Sequence, residues 1–272
     1  METIEHQDEW RGRFKRWGRE RGANPWHNNI GENYPFVENE RAPFVPLRRA
    51  LPLLNLALVT SAGAYIDGTD AFNTQASGGD ASFREIPTEI EAEDLRYSAR
   101  GYDAAAVTKD MNAQIPLGRL FEFEANGIIG QLAPAFWSFC GFIPDASLLT
   151  AESALPRLVE RVKRYEAQAA LLIPASRLCH QTMALAGRAL ESAGIPTMML
   201  AVEREIPDLV RSPRAVYYAG EYGSVAGAAL WSEHQRRVLD EALRTLETAD
   251  QPGVRKLVVD LETVVEKSRG EK

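Results

Sequence analysis

The sequence predicts an α/β protein, a mostly parallel sheet with helices on both faces. Three observations predict it. Short runs such as "LNLALVT", "AALLIP" and "PTMMLAV" are apolar without polar alternation, as strands buried on both faces are. Amphipathic stretches of 3.6-residue period fall between them. Breaks such as Gly194, with Pro196 just beyond, separate helix from strand. The alternation is Rossmann-like. However, no G-x-G-x-x-G follows the first strand, and no G-x-x-x-x-G-K-S/T occurs anywhere.

Trp10, Phe14 and Trp17 stand at i, i+4 and i+7 among six basic residues. Two readings are open: a helix that touches RNA or a membrane surface, or one that docks its aromatic stripe on its own domain or a partner subunit. Residues 24–52 are rich in Pro, Asn and Gly and read as an extended arm. Leu54–Thr60 is the first buried strand. A long Gly-rich loop follows, with enough Phe and Ile to be packed. "DLRYSA" is a short strand, Pro116–Asn126 a helix ended by Gly127, and Ile128–Ala133 a strand. "PAFWSFCGFIPD" reads as a loop. Leu155, Leu158, Val159, Val162 and Tyr165 share one helix face, and "AALLIP" leads to a helix over His180–Ala193. "PTMMLAV" and "RAVYYA" are two further strands. Trp231 to Leu246 keeps a helical period, and Val254, Leu257, Val258, Leu261 and Val265 do so again. This last stripe reads as packing on the domain or as homo-association. The organisation predicted is an N-terminal helix and arm over 1–43, an α/β domain over 44–250, and a C-terminal amphipathic helix over 251–272.

Composition narrows the function. The chain of 272 residues is 45% hydrophobic, enough for a full core. A net charge of −7 argues against a general nucleic-acid binder. No apolar run is long enough for a bilayer, and the basic N-terminus has no signal-peptide core. Two cysteines without an export signal point to a reducing cytoplasm. There is no HExxH, paired CxxC or His cluster, so no metal site is expected. No G-x-S-x-G elbow is present for a serine hydrolase.

Ligands of open α/β sheets bind beyond the carboxyl ends of the strands. Three segments fall there: the loop after Thr60, the loop with Cys140, and "ASRLCHQ" with Cys179. A helix N-terminus beneath Cys179 favours a thiolate, His180 is adjacent, and Arg177 adds positive charge. The competing reading is a thiol packed as a small hydrophobe. The nucleophile reading expects Cys179 at least partly exposed within a cleft. Cys140, between Phe139 and Gly141, reads either as a buried small residue or as half of a redox pair. Loop aspartates Asp67, Asp80, Asp110 and Asp145 read as substrate-amine ligands or as turn caps.

Five segments extend this reading: "LVTSAGAY", "GGDASFREIP", "KDMNAQIPLGRL", "NGIIGQLAPAFWSFCGFIPD" and "LLIPASRLCHQTMALAGRALESAGIPTMML". In this order, over Phe44 to Tyr218, they resemble the B-subunit (selenoprotein B) family of glycine, sarcosine, betaine and D-proline reductases. The resemblance implies an oxidoreductase that forms a disulfide while it cleaves a carbon–nitrogen bond. A thiolate or selenolate displaces the nitrogen, and a second thiol resolves the adduct. It implies a small amino acid or amine as substrate, a dithiol or thioredoxin-like donor, and further subunits or a homo-oligomer as partners. No cofactor belongs to this chain, and a pyruvoyl group belongs to a separate subunit. Cys179 is the thiol that the resemblance retains, and Cys140 and His180, read from their positions, join it as the catalytic candidates. Ser176, Asp80, Arg84, Asp110, Asn112 and Arg119 line the substrate, with Arg84 or Arg119 clamping a carboxylate. The sequence departs from the pattern at Ser176, where a cysteine or selenocysteine is expected. Three outcomes follow: Cys179 acts alone, Cys140 takes the partner role, or reduction is lost. Two other readings are a two-cysteine racemase or isomerase and a non-catalytic small-molecule binder.

Overall fold

Unbroken apolar character in Leu56–Val59 puts one strand at the centre of the molecule, with nothing polar to lead it to water. A computed structural model of the chain describes residues 2–20, 30, 33–150 and 154–259. Along the chain run α1 (Gln7–Glu20), β1 (Asn55–Thr60), β2 (Ala64–Ile66), β3 (Phe83–Pro87), β4 (Leu95–Tyr97), α2 (Ala105–Lys109), α3 (Leu117–Ala125), β5 (Gln131–Leu132) and β6 (Ala135–Phe139). Then follow α4 (Ser147–Thr150), α5 (Ala154–Arg164), β7 (Ala169–Ile173), α6 (Arg177–Ser192), β8 (Thr197–Ala201), α7 (Glu205–Val210), β9 (Arg214–Tyr217), α8 (Ser232–Thr248) and β10 (Gly253–Lys256).

The main sheet has the order β10-β9-β8-β7-β1-β6-β3, with β5 pairing the start of β1. Every pairing is parallel except β3 on β6. β2 and β4 form a separate antiparallel pair. Alternate side chains of one strand serve opposite layers. Ala57 and Val59 of β1 pack with α1, α5, α6 and α7, whereas Leu56 and Leu58 pack with α3 and α8. The predicted class therefore stands: a mostly parallel sheet covered on both faces. No described helix is long and apolar enough to cross a membrane.

β1 lies between β6 and β7, which the chain visits in turn. This is the topological switch point of the sheet, where the loops leaving neighbouring strands diverge and a crevice opens. The loops after β1, β6 and β7 all end there.

Several elements differ from the sequence reading. "AFWSF", read as loop, is β6, buried along its whole length. Its Ser138 hydroxyl accepts the Ala64 N–H, so the one polar residue in the run is satisfied. The strand expected over Ile128–Ala133 shrinks to Gln131–Leu132, because the N–H groups of Ile128 and Ile129 close the end of α3 on Phe123 O. The Gly-rich loop contains β2 and β3. α6 begins at Arg177, three residues before the predicted start, because Ser176 caps it. The C-terminal stripe was read as a helix, but Gly253–Lys256 is the edge strand β10, parallel to β9. A few alternating apolar residues fit either period. The remainder of that stripe, from 260 on, lies outside the described residues.

α1 docks on its own domain. Trp10, Phe14 and Trp17 are buried, Phe14 and Trp17 meet Tyr34 edge-on, and Trp10 Nε1 donates to Pro35 O. The N-terminal segment is fastened by a buried cation. Arg188 of α6, with no exposed side chain, donates to Thr3 O (2.9 Å), Glu2 O (3.1 Å), Arg211 O (3.2 Å) and Glu5 Oε1 (3.1 Å). Burial depresses its pKa, while Glu5 opposes that. Removing one member of such a pair strands the other groups. Arg188→Ala is expected to cost about 3–5 kcal/mol in urea unfolding. Arg188→Lys should recover only part, because a point charge cannot replace the planar fork.

Candidate functional site

Ser176 closes the turn between β7 and α6. Its backbone is extended, and its hydroxyl accepts the Cys179 N–H at 3.2 Å, the bond expected of an N-cap. The same hydroxyl donates to Cys179 Sγ at 2.9 Å. Ser61, one residue past β1, accepts the Ala175 N–H at 2.9 Å, and its hydroxyl also bonds the Cys179 sulfur. Two hydroxyls from two strand ends therefore address one thiol.

The third strand end closes over it. Gly141, two residues past β6, has φ +71°, and a Cβ there would stand 2.7 Å from Cys179 Sγ and 2.3 Å from Ser61 Cβ. Only glycine permits this approach. Thr182 of α6 donates to Gly141 O at 2.7 Å and holds the loop down. The three segments expected from the strand-end rule thus do meet.

Cys140 lies beside them. Its Sγ donates weakly to Ser98 O at 3.4 Å. The segment after Ser98 forms a fourth wall. Arg100 stacks on Phe142 at 4.7 Å, and its charge favours a Cys140 thiolate. A Cβ on Gly101 would come within 3.3 Å of Ser176 Oγ. Tyr102 donates to Ala62 O at 2.6 Å, and its phenol is driven up first by burial, then by the Cys179 charge.

Both thiols are free and buried. Burial raises the Cys179 pKa, while hydrogen bonds from Ser176 and Ser61 pull the other way. Burial, and then the charge of Cys179, push Cys140 up to about 12. The expected partial exposure of Cys179 is corrected: it is sealed, because Ser61 and the Gly141 backbone sit against the sulfur where a cleft was predicted. In this closed state both sulfurs are protonated. The side-chain partners of Cys179 Sγ are nonetheless hydroxyls, with the Gly141 backbone against it.

His180 is fully buried and turns to the end of β8. Its Nδ1 is 2.7 Å from Ser176 O, and its Nε2 accepts the Val202 N–H at 3.3 Å. The proton is therefore assigned to Nδ1. Burial, reinforced by Arg177, lowers the pKa to about 4.

The other candidates have partners elsewhere. Asp80 is close enough to Cys140 to raise its pKa, but its oxygens accept from Asn73 N and from both Ser82 groups. Burial raises its own pKa, and these bonds outweigh it to hold the carboxyl low. Arg84 donates to Asp70 O and Ala71 O and covers Phe72. Asp110 accepts from Asn112, Leu230 and Gln235, which overcome burial and lower its pKa. Asn112 in turn accepts the Gly118 N–H. Arg119 pairs with Glu122 at 2.9 Å. Asp67 and Asp145 cap turns at Gly68 and Ser147. Sequence reasoning missed Ser61, Gly141 and the Ser98–Tyr102 wall. Ser61 and Gly141 lie in the strand-end segments it had marked, whereas nothing local marks the Ser98–Tyr102 wall.

Fold and site define a doubly wound α/β protein with a serine-capped thiol at its switch point, beside a second thiol. A D-proline reductase subunit gamma from Acetoanaerobium sticklandii is 32% identical over 206 residues, 75% of this chain and 82% of that relative. A glycine reductase complex component B subunit gamma from Symbiobacterium thermophilum is 25% identical over 221 residues, 79% of this chain and 51% of its own length. A sarcosine reductase complex component B subunit beta from Peptoclostridium acidaminophilum is 26% identical over 221 residues, 79% of this chain and 50% of its own length. The chain belongs to the B-subunit family of the D-proline, glycine and sarcosine reductases. It spans about half the length of the glycine and sarcosine reductase relatives. No family model and no solved structure matches.

Three variants test the site. Ser176→Cys should form a disulfide with Cys179 under mild oxidation, since the present Oγ is 2.9 Å from Sγ; mass spectrometry after blocking free thiols reads it. Ser176→Ala should cost about 1 kcal/mol through the lost cap. The folded pKa of His180, about 4, lies below the unfolded value of about 6.5, so the unfolded chain binds the extra proton between them. The His180 contribution is intact above pH 6.5 and is lost as pH falls toward 4. His180→Gln should flatten that part of the stability–pH curve relative to the unsubstituted chain.

Proposed function

We propose that this chain is the thiol-bearing subunit of an amino-acid reductase complex, with Cys179 as nucleophile and Cys140 as resolving thiol. The observation that supports the reading is the placement of Cys179. Its sulfur stands at a helix N-terminus, faced by two hydroxyls, at the switch point of the sheet.

The chemistry balances with two thiols. Deprotonated Cys179 attacks the carbon that bears the nitrogen; a C–S bond forms and the C–N bond breaks. Nitrogen leaves with the bonding pair and takes a proton. Cys140 then attacks the Cys179 sulfur, an S–S bond forms, and the C–S pair returns to carbon with a second proton. The substrate gains two electrons and the cysteine pair loses them. An external dithiol or thioredoxin-like donor restores the thiols. In this reading the substrate is a small amino acid, other subunits complete the complex, and a pyruvoyl group belongs to one of them. The compartment is the cytoplasm, where free thiols remain reduced.

Because the resting thiols are buried and protonated, the reading requires the Gly141 loop to lift when substrate or partner binds. Burial also favours a second reading, a non-catalytic binder. The test is turnover of D-proline, glycine and sarcosine by the assembled complex with dithiothreitol, with iodoacetamide labelling read at each cysteine. Cys179→Ser should abolish reductive cleavage. Cys140→Ser should leave a substrate-sized mass on Cys179. Labelling of Cys179 should be slow at rest and faster during turnover. Full activity of Cys179→Ser would remove the nucleophile, and the binder would then be the better reading.

A further inference from the structure

Tyr34 makes two sets of contacts that the thiol chemistry does not use. Its ring belongs to the N-terminal segment. Trp17 meets it edge-on at 5.2 Å, Phe14 at 6.4 Å and Phe36 at 4.8 Å. Its hydroxyl belongs to the thiol loop, where it donates to Pro144 O at 2.7 Å. That loop runs from Cys140 to Pro144, and its Gly141 backbone lies against the Cys179 sulfur.

The hydroxyl is one link in a chain. Gln181 of α6 donates Nε2 to the Tyr34 hydroxyl at 3.1 Å, and its Oε1 accepts the Val37 N–H at 2.7 Å. Arm, loop and helix thus share one run of hydrogen bonds. Tyr34, Val37 and Gln181 are all buried. Water does not replace a bond broken there, so each stranded group carries its desolvation cost. Such a run holds or parts as a unit.

Other ties also hold the loop. Thr182 donates to Gly141 O at 2.7 Å, Asp145 N donates to Gly78 O at 3.0 Å, and Arg100 lies over Phe142 at 4.7 Å. These come from α6 and from loops at the sheet edge. The tie through Tyr34 runs instead to elements outside the sheet. The arm over 33–50 joins neither strand nor helix, and α1 lies on the surface with Arg11, Lys15, Arg16 and Arg19 turned to solvent. Within the loop, Phe142 N and Ile143 N bond two residues back, to Cys140 O and Gly141 O. A segment with so little hydrogen bonding of its own depends on its neighbours to stay closed.

We propose that α1 and Tyr34 form a latch on the thiol loop. While the Tyr34 ring sits in the α1 aromatic cluster, its hydroxyl holds Pro144, and the Gly141 backbone stays over Cys179. Displacing α1 withdraws the ring, parts the run of bonds and leaves the loop on its remaining ties. The use of such an opening rests on the reductase reading, which requires the loop to lift; the latch itself is read without turnover.

The experiment is the rate of iodoacetamide labelling at Cys179 in the folded full chain, read by peptide mass spectrometry at one pH. Tyr34→Phe keeps the ring and removes the hydroxyl. It should label Cys179 roughly fivefold faster or more, as expected for loss of one buried hydrogen bond. Trp17→Ala should act in the same direction by loosening the ring. Leu239→Ala, in the opposite layer, is the control for global unfolding, and urea melts give the stability of each variant. It should lower stability without comparable acceleration. Unchanged labelling of Tyr34→Phe overturns the latch. So does equal acceleration by Leu239→Ala at matched stability, because the thiol is then reached by global unfolding. Acceleration by Thr182→Val with none by Tyr34→Phe places the restraint in α6 and overturns it too. A folded Trp17→Ala that labels as the unsubstituted chain does would detach α1 and overturn the latch as stated. Each of these results leaves the turnover test of Cys179 untouched. Conversely, faster labelling of Tyr34→Phe together with a fully active Cys179→Ser would sustain the latch and sink the reductase mechanism.

Discussion

The site depends on the position of β1 between β6 and β7. The chain leaves β1, returns to pair on one side, then crosses to pair on the other. Parallel pairing aligns the ends of all three strands, so Ser61, Cys140–Gly141 and Ala175–Ser176 arrive at one edge although more than a hundred residues separate the first from the last. The register carries this: Thr60 is opposite both Ile173 and Ser138. A shift of one residue in the β1–β7 pairing would separate the Ser61 hydroxyl from the sulfur, and one in the β1–β6 pairing would move Gly141 away from it.

Close packing at that edge sets the electrostatics. The Gly141 backbone and Ser61 exclude water from Cys179, and exclusion of water is what raises a thiol pKa. The helix N-terminus and the two hydroxyls oppose this but do not win in the closed arrangement. The same balance acts on His180, where burial defeats its hydrogen bond to Ser176 O. Thiol and imidazole are therefore both neutral at rest.

The N-terminal segment takes part in this edge. Tyr34 donates to Pro144 O, Gln181 donates to Tyr34, and Val37 N donates to Gln181. Arg177 lies over Phe36 at 5.6 Å. The arm thus packs on the first turns of α6, with Arg188 and Glu5 anchoring it further along the helix. Buried cations and carbonyls fix its path where apolar contact alone would allow it to slide.

By itself the sequence determined the class of fold, the strands β1, β7, β8 and β9, the stripe of α1 and the family motifs. These are local: apolar runs, 3.6-residue periods and cap residues act over neighbouring positions. Cys179 was legible at the strand-to-helix turn, whereas Ser176 was marked only through the family resemblance and its capping of α6 was not foreseen. Tertiary structure alone decided that "AFWSF" is an interior strand, because Ser138 interrupts the apolar run and is satisfied only by the distant Ala64 N–H. It also decided that β10 pairs with β9 and that Cys179 is sealed. Burial and hydrogen-bond satisfaction are properties of what packs around a group. For these groups the packing comes from strands and loops distant in the chain, joined only when the sheet closes.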